Sequence, residues 1–394
     1  VWKQCLAITR LNLYSIPRRW SSAIVIVVGL AGVVAVFCAL LAMTEGVRTT
    51  LRATGQPGNV IVLRAGSSAE LNSGLSREAV TLIREAPGLA RDAAGHPLAS
   101  GEIIVVTELL KRGETSGGAN VSLRGVDPRA GFALRPQLRI IAGRRFTPGL
   151  RELIVGSGLK REFQGAALGQ TLRTRGSVWT IVGVFESGDA HDSELWADID
   201  VAQSTFGRTG FSSVLAATDT APGSLHVFED HLTSDPRLNV DVQSESDYFD
   251  SQTRTFRATI GVVAGVVTFI MGLGAVFAAL NTMYAAVAAR VREIATLRAI
   301  GFAGGAVLVS VMAESLALAL VGGVIGVLIA YLLFNGLTVS TLSDNFTQLV
   351  FSFRMTPRLV ARGLLIALAV GMIGGFLPAL RAARLPITTA LRAS

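Results

Sequence analysis

Cysteine is nearly missing from this sequence: Cys5 and Cys38 are the only two in 394 residues. Two cysteines cannot build a disulfide framework, and the flanking charges discussed below put this pair near opposite faces of a membrane, so no bridge is expected. Histidine is almost as scarce, with four in the chain. His226 and His231 are five apart and do not share a helical face. Asp189, His191, Asp192 and Glu194 read as a polar, solvated loop without the closed ligand set of a structural metal site. Neither H-E-x-x-H nor G-x-S-x-G occurs, and no metal or catalytic constellation is expected. The G-x-x-x-x-G-K-[ST] phosphate loop is missing too, so these residues are not expected to hydrolyse ATP. No solenoid repeat or low-complexity tract appears.

Charge is also thin. Charged residues make up 16% of the chain and hydrophobic ones 50%, with a mean hydropathy of +0.51, more apolar than a soluble chain of this size. Crossing a hydrocarbon core takes roughly 20 apolar residues as helix, and four stretches qualify. They predict transmembrane helices over 21–43, 258–289, 305–335 and 358–380. The first apolar run exceeds the h-region of a cleaved signal and no small-x-small site closes it, so it reads as a permanent anchor. Phe37 before Cys38 argues against a lipoprotein cleavage site.

The basic excess sits at the ends of the spans. Lys3, Arg10, Arg18 and Arg19 precede the first, Arg290, Arg292 and Arg298 lie between the second and third, and Arg381, Arg384 and Arg392 follow the fourth. Cationic flanks resist translocation, so both termini are expected in the cytoplasm. The net charge of +8 is then topogenic and does not signal nucleic-acid binding. Residues 1–20 read as an interfacial helix on the inner leaflet and 381–394 as a cytoplasmic tail.

Residues 44–257 have the composition of a soluble domain, with 23 basic against 25 acidic residues, and are expected outside the membrane. Strand-like runs include 59–64, 102–110, 121–124, 152–155 and 179–185; helix-like runs include 77–85, 157–163, 225–232 and 245–257. This mixture predicts an α+β domain inserted between the first two transmembrane helices, of one or two lobes. Residues 112–118 read as a mobile hairpin tip, and 336–357 as a short outer loop that is too small for a second domain.

Between the second and third spans, 290–304 holds Ile294, Leu297 and Ile300 at helical spacing, with Arg290, Glu293 and Arg298 on other faces and Gly301 placed to cap the end. This short amphipathic helix suits a lipid-headgroup flank or a docking element for a soluble partner. Glycines spaced by four occur at Gly261 and Gly265, Gly322 and Gly326, and Gly371 and Gly375, spacing that lets helix backbones approach within a bundle or a dimer. Glu314 lies in the third span, where a carboxylate is costly unless paired; an inner-side arginine is its expected partner.

Four segments together resemble the MacB/FtsX-type (type VII) ABC transporter permeases over nearly the whole chain. The first is the entry Ile16-Pro17-Arg18-Arg19, with its span ending at Glu45-Gly46. Next come Leu123–Pro128, Ile141–Phe146, Leu153–Gly156, Leu168–Gln170 and Trp179–Phe185. The third is Arg-x-Arg-Glu-Ile-x-x-Leu-Arg-x-Ile-Gly at 290–301 with Glu314 and Gly322-Gly323-x-x-Gly326, and the fourth is Pro378–Pro386 with Ala390-Leu391.

The resemblance implies that 290–301 is a coupling helix docked into an ATPase, with Arg290, Arg292, Glu293 and Arg298 as polar contacts and Ile294 and Leu297 as apolar anchors. It implies a non-catalytic subunit with no cofactor of its own, ATP and Mg being bound by two copies of a separate ATPase. It further implies a second permease copy as dimer partner, residence in the bacterial inner membrane, and mechanotransmission to the outer domain. Export of a drug, peptide or siderophore through a periplasmic adaptor and outer-membrane channel is the expected use, beside lipoprotein extraction. An FtsX-like signalling role toward a cell-wall hydrolase is the alternative.

Overall fold

The computed structural model describes residues 9–10, 20–342 and 348–385. The interfacial helix expected over 1–20 falls almost wholly outside them, as do Pro386, Ala390, Leu391 and Arg392 of the tail. In chain order the helices are α1 (Trp20–Thr54), α2 (Arg77–Glu85), α3 (Ala130–Ala133), α4 (Ser157–Glu162), α5 (Ile199–Phe206), α6 (Ser224–Ser234), α7 (Glu245–Ala289), α8 (Val291–Ala299), α9 (Gly304–Phe334) and α10 (Pro357–Arg384). The strands are β1 (Asn59–Arg64), β2 (Ala99–Leu109), β3 (Ala119–Val126), β4 (Arg139–Gly143), β5 (Glu152–Gly156), β6 (Thr171–Thr174), β7 (Ser177–Glu186), β8 (Glu194–Asp198), β9 (Ser213–Ala217), β10 (Val240–Ser244), β11 (Thr338–Leu342) and β12 (Gln348–Ser352).

The chain divides into two units. One comprises 46–257 with 338–352; the other comprises 1–45, 258–337 and 353–394. The first unit is built on a ten-stranded mixed sheet in the order β10-β1-β9-β2-β3-β8-β5-β7-β4, with β6 added on β7. Strands β3–β8 and β5–β7 pair in parallel; the other pairs are antiparallel. Strand β2 explains how two lobes become one sheet: residues 99–102 pair with β9, then 103–109 pair with β3. One lobe packs Val60, Val62, Val214, Ile83, Phe228 and Leu232, and the other packs Leu153, Val155, Trp179, Ile181 and Phe163. Helix α5 starts where the Asp198 carboxylate accepts from the Asp200 and Val201 amides, and it ends at Gly207 in the left-handed region at φ 63°.

Three sequence expectations need correction in this unit. Helix α1 does not stop at Met43 but continues to Thr54, because an apolar run marks what lipid can cover, whereas helical hydrogen bonding needs no apolar side chains. The connection over 336–357 is not a plain loop: β11 and β12 form a hairpin in which the Val350 amide donates to Ser193 Oγ at 2.8 Å. Nor is Asp189–Glu194 solvated. Asp189, His191 and Ser193 are buried at a 3-10 turn and Glu194 opens β8.

These residues are buried because two arginines draw them together. The Arg124 guanidinium donates to Glu70 (2.9 and 3.0 Å), Glu102 (2.8 Å) and Glu194 (2.8 and 2.9 Å). Arg135 donates twice to Glu102 (2.7 and 2.9 Å), and its Nε donates to His191 Nε2 at 3.1 Å. His191 Nδ1 then carries the proton toward Asp189, 2.9 Å away. Trp196 Nε1 and Ser213 Oγ donate to Glu194 and Glu70.

Burial alone would raise the Glu102 carboxyl, but Arg135 and then Arg124 outweigh it and hold it at about 2, against an ordinary value of 4.5. A carboxyl depressed in the folded state stabilises fully above its unfolded pKa, and that stabilisation is lost as pH falls through the folded one. Thermal unfolding of the full chain in detergent is therefore expected to lose stability between about pH 4.5 and 2. Glu102→Gln should start lower at neutral pH and show a shallower loss over that window. An acid limb of the same depth in both proteins would contradict this account.

Among the described residues, four helical stretches are long and apolar enough to cross a membrane: Ala23–Thr54, Ala258–Ala289, Gly304–Phe334 and Pro357–Arg384. Two glycine pairs bring backbones together. A Cβ on Gly322 would lie 2.9 Å from the Val27 carbonyl, and one on Gly326 would lie 2.5 Å from that of Ala31, so α9 sits directly on α1. Gly371 and Gly375 face Ala319 and Ser315 of α9, and Ser315 Oγ donates to the Gly371 carbonyl at 2.7 Å. Gly261 and Gly265 have nothing within 4 Å, and α7 is the least covered of the four spans.

Candidate functional site

The segment linking the second and third spans folds as predicted into a short helix, but its faces are distributed differently. Arg290 is the residue between α7 and α8, and its carbonyl accepts the first α8 hydrogen bond, from the Ile294 amide at 2.9 Å. At the other end Gly301 has φ +104°; its amide donates to the Arg298 carbonyl and the Phe302 amide to that of Leu297. That pair of bonds is a Schellman closure, which places glycine just past the helix end and stops it there.

Ile294 and Ala295 turn into the bundle, where Ile294 joins a cluster with Met283, Val287 and Val311. Arg292, Glu293, Thr296, Ala299 and Ile300 are exposed, while Leu297 and Arg298 are half-buried. Two expected docking contacts therefore change role. Ile294 is not a surface anchor, because it closes the bundle. Arg290 is 5% exposed and donates to both Glu314 oxygens, at 3.0 and 3.3 Å. Glu314, 6% exposed, thus has its arginine partner on the preceding connection. Arg298 is also engaged, its Nη1 donating to the Leu385 carbonyl just past α10.

A cavity of about 400 Å³ lies between α7, α8 and α9, with Met283, Val287, Ile294, Leu297 and Val311 among its apolar lining, and it reaches the exposed residues Arg292, Glu293 and Thr296. The buried Arg290–Glu314 pair forms the inner part of its polar wall. The sequence pointed to an arginine partner for Glu314 but not to this cavity, and nothing in it announced the Arg124–Arg135 network of the other unit, whose members come from distant parts of the chain.

Four membrane-length helices, a mixed α/β domain inserted between the first and second, and a capped amphipathic helix between the second and third define a multi-pass membrane protein built to present one short helix on a connecting loop. Residues 22–225 match the MacB-like periplasmic core domain and residues 265–387 the FtsX-like permease C-terminal domain. The chain belongs to the MacB/FtsX-type ABC transporter permeases, and the inserted domain is extracytoplasmic. It is similar to an uncharacterized ABC transporter permease, YknZ, of Bacillus subtilis (strain 168), with 27% identity over 65% of this chain and 66% of that one. It is also similar to the macrolide export ATP-binding/permease protein MacB of Hahella chejuensis, with 26% identity over 57% of this chain and 35% of that one. The chain therefore spans about two thirds of the first relative and about a third of the second. The solved periplasmic region of MacB from Actinobacillus actinomycetemcomitans matches 52% of this chain and 96% of its own, with 12% identity and a TM-score of 0.38.

Proposed function

We propose that this permease converts the ATP cycle of a separate ATPase into movement of its extracytoplasmic domain, with α8 as the input. The observation that carries this reading is the exposed face of α8. Arg292, Glu293 and Thr296 lie side by side on a helix fixed at both ends, so a partner meets a set surface and not a mobile loop. The arginines flanking the spans favour the cytoplasm for α8 and for both termini. The ATPase would act in two copies, supplying ATP and Mg, against a dimer of this permease or of this chain with a related one. Export of a drug, peptide or siderophore through a periplasmic adaptor and outer-membrane channel fits a domain of this size. Lipoprotein extraction would use the same parts.

Arg292→Glu combined with Glu293→Arg reverses the exposed charges without touching the buried ones. Purified by affinity from native membranes, the wild-type chain is expected to bring an ABC ATPase with it, and the variant to recover at least about tenfold less. Equal recovery would remove α8 as the docking element. The outer partner that co-purifies separates the uses: an adaptor and channel support export, whereas a cell-wall hydrolase supports signalling.

A further inference from the structure

The buried Arg290–Glu314 pair is a poor source of stability, since two apolar residues of similar volume would serve the bundle at least as well. What a forked guanidinium–carboxylate contact does provide is a fixed geometry. Arg290 is the residue at which the chain leaves α7 and enters α8, and Glu314 projects from α9. The far end of α8 is held by Arg298 on the Leu385 carbonyl and by the turn at Gly301. Between these attachments Ile294 and Ala295 pack into the bundle, and a cavity of about 400 Å³ borders the helix along Arg290, Glu293 and Leu297. A helix held at both ends passes force to its neighbours through those attachments.

We propose that Arg290 and Glu314 are positioning residues for energy coupling: their ion pair clamps the start of α8 to α9, so that movement of α8 is passed to the third span. The proposal rests on α8 being the input. It assigns the pair a role distinct from docking, because neither side chain lies on the exposed face.

The test uses the full chain in lipid nanodiscs, with the ATPase that accompanies it from native membranes. Arg290→Lys keeps the charge and loses the fork; Arg290→Glu with Glu314→Arg rebuilds the pair in reverse. Arg290→Lys is expected to speed hydrogen exchange at the Ile294 and Ala295 amides by about tenfold or more. The ATPase should be recovered in unchanged amount, while its permease-stimulated rate falls by about fivefold or more. The reversed pair should restore slow exchange and stimulation together.

Unchanged exchange in Arg290→Lys would overturn the clamp. Stimulation lost in step with recovery would make Arg290 a docking residue and overturn the positioning role. Slow exchange without restored stimulation in the reversed pair would also overturn it. If the reversed pair does not fold, Glu314→Gln takes its place, with the same expectations as Arg290→Lys. Absence of any ATPase with the wild-type chain would defeat the docking reading and the energy-coupling role that rests on it, while the exchange measurement still decides whether the pair holds α8.

Discussion

Replacing Arg124 with methionine is expected to unfold the extracytoplasmic domain under conditions in which the wild-type chain is stable. The side chain is 3% exposed and serves three carboxylates, those of Glu70, Glu102 and Glu194. Methionine fills much of the volume, so the loss is electrostatic rather than a cavity effect. Removing one partner of a buried ion pair costs about 3–5 kcal/mol, because the remaining charge stays desolvated. Here Arg135 still serves Glu102, but Glu70 and Glu194 lose their only guanidinium ligand in the described network. The upper end of that range is therefore expected. Trp179 and Trp196 are fully buried in this domain, so tryptophan fluorescence in a urea titration reads the transition directly. A change below about 1 kcal/mol would mean that the carboxylates find other partners or protonate at little cost.

A second large effect is expected in the bundle. Gly326→Leu should prevent α9 from seating on α1, since its Cβ alone would lie 2.5 Å from the Ala31 carbonyl and 2.9 Å from Val34 Cβ. Overpacking a core typically costs about 1–3 kcal/mol when side chains can shift. Here the nearest obstacle is backbone, so the loss should reach or exceed the top of that range. Gly261→Leu is the control: nothing lies within 4 Å of its Cβ, and leucine is the better helix former. Thermal unfolding in detergent should show a large drop for the first and none for the second. A similar drop in both would mean that glycine at these positions answers a need of the helix and not of the contact.

The contrast between these glycine pairs shows where reading the sequence stops. All three have the same spacing, and only the packed bundle separates the two that contact another helix from the one that does not. The same holds at α8. Its helical period and its glycine stop were legible because both depend on neighbours within a few residues. Which face turns inward was not, and so Arg290 and Ile294 passed for surface residues although both are buried, whereas Arg292 and Glu293 are exposed. The pairing of Glu314 with an arginine was foreseeable from the cost of a lone carboxylate in lipid. In the outer domain, β1 and β7 were plain in their apolar runs, whereas β8 was hidden behind the acidic residues that precede it.

The sequence by itself determined the four membrane-crossing stretches, the inserted domain and the short helix between the second and third spans. Each follows from local composition, because partition into lipid and helix closure are decided over roughly 20 residues or fewer. Only the tertiary structure decided which charges are buried together. Arg124 meets Glu70 across 54 positions and Arg290 meets Glu314 across 24. A charge can leave water only when its counterpart is already in place, and that placement belongs to the folded chain as a whole.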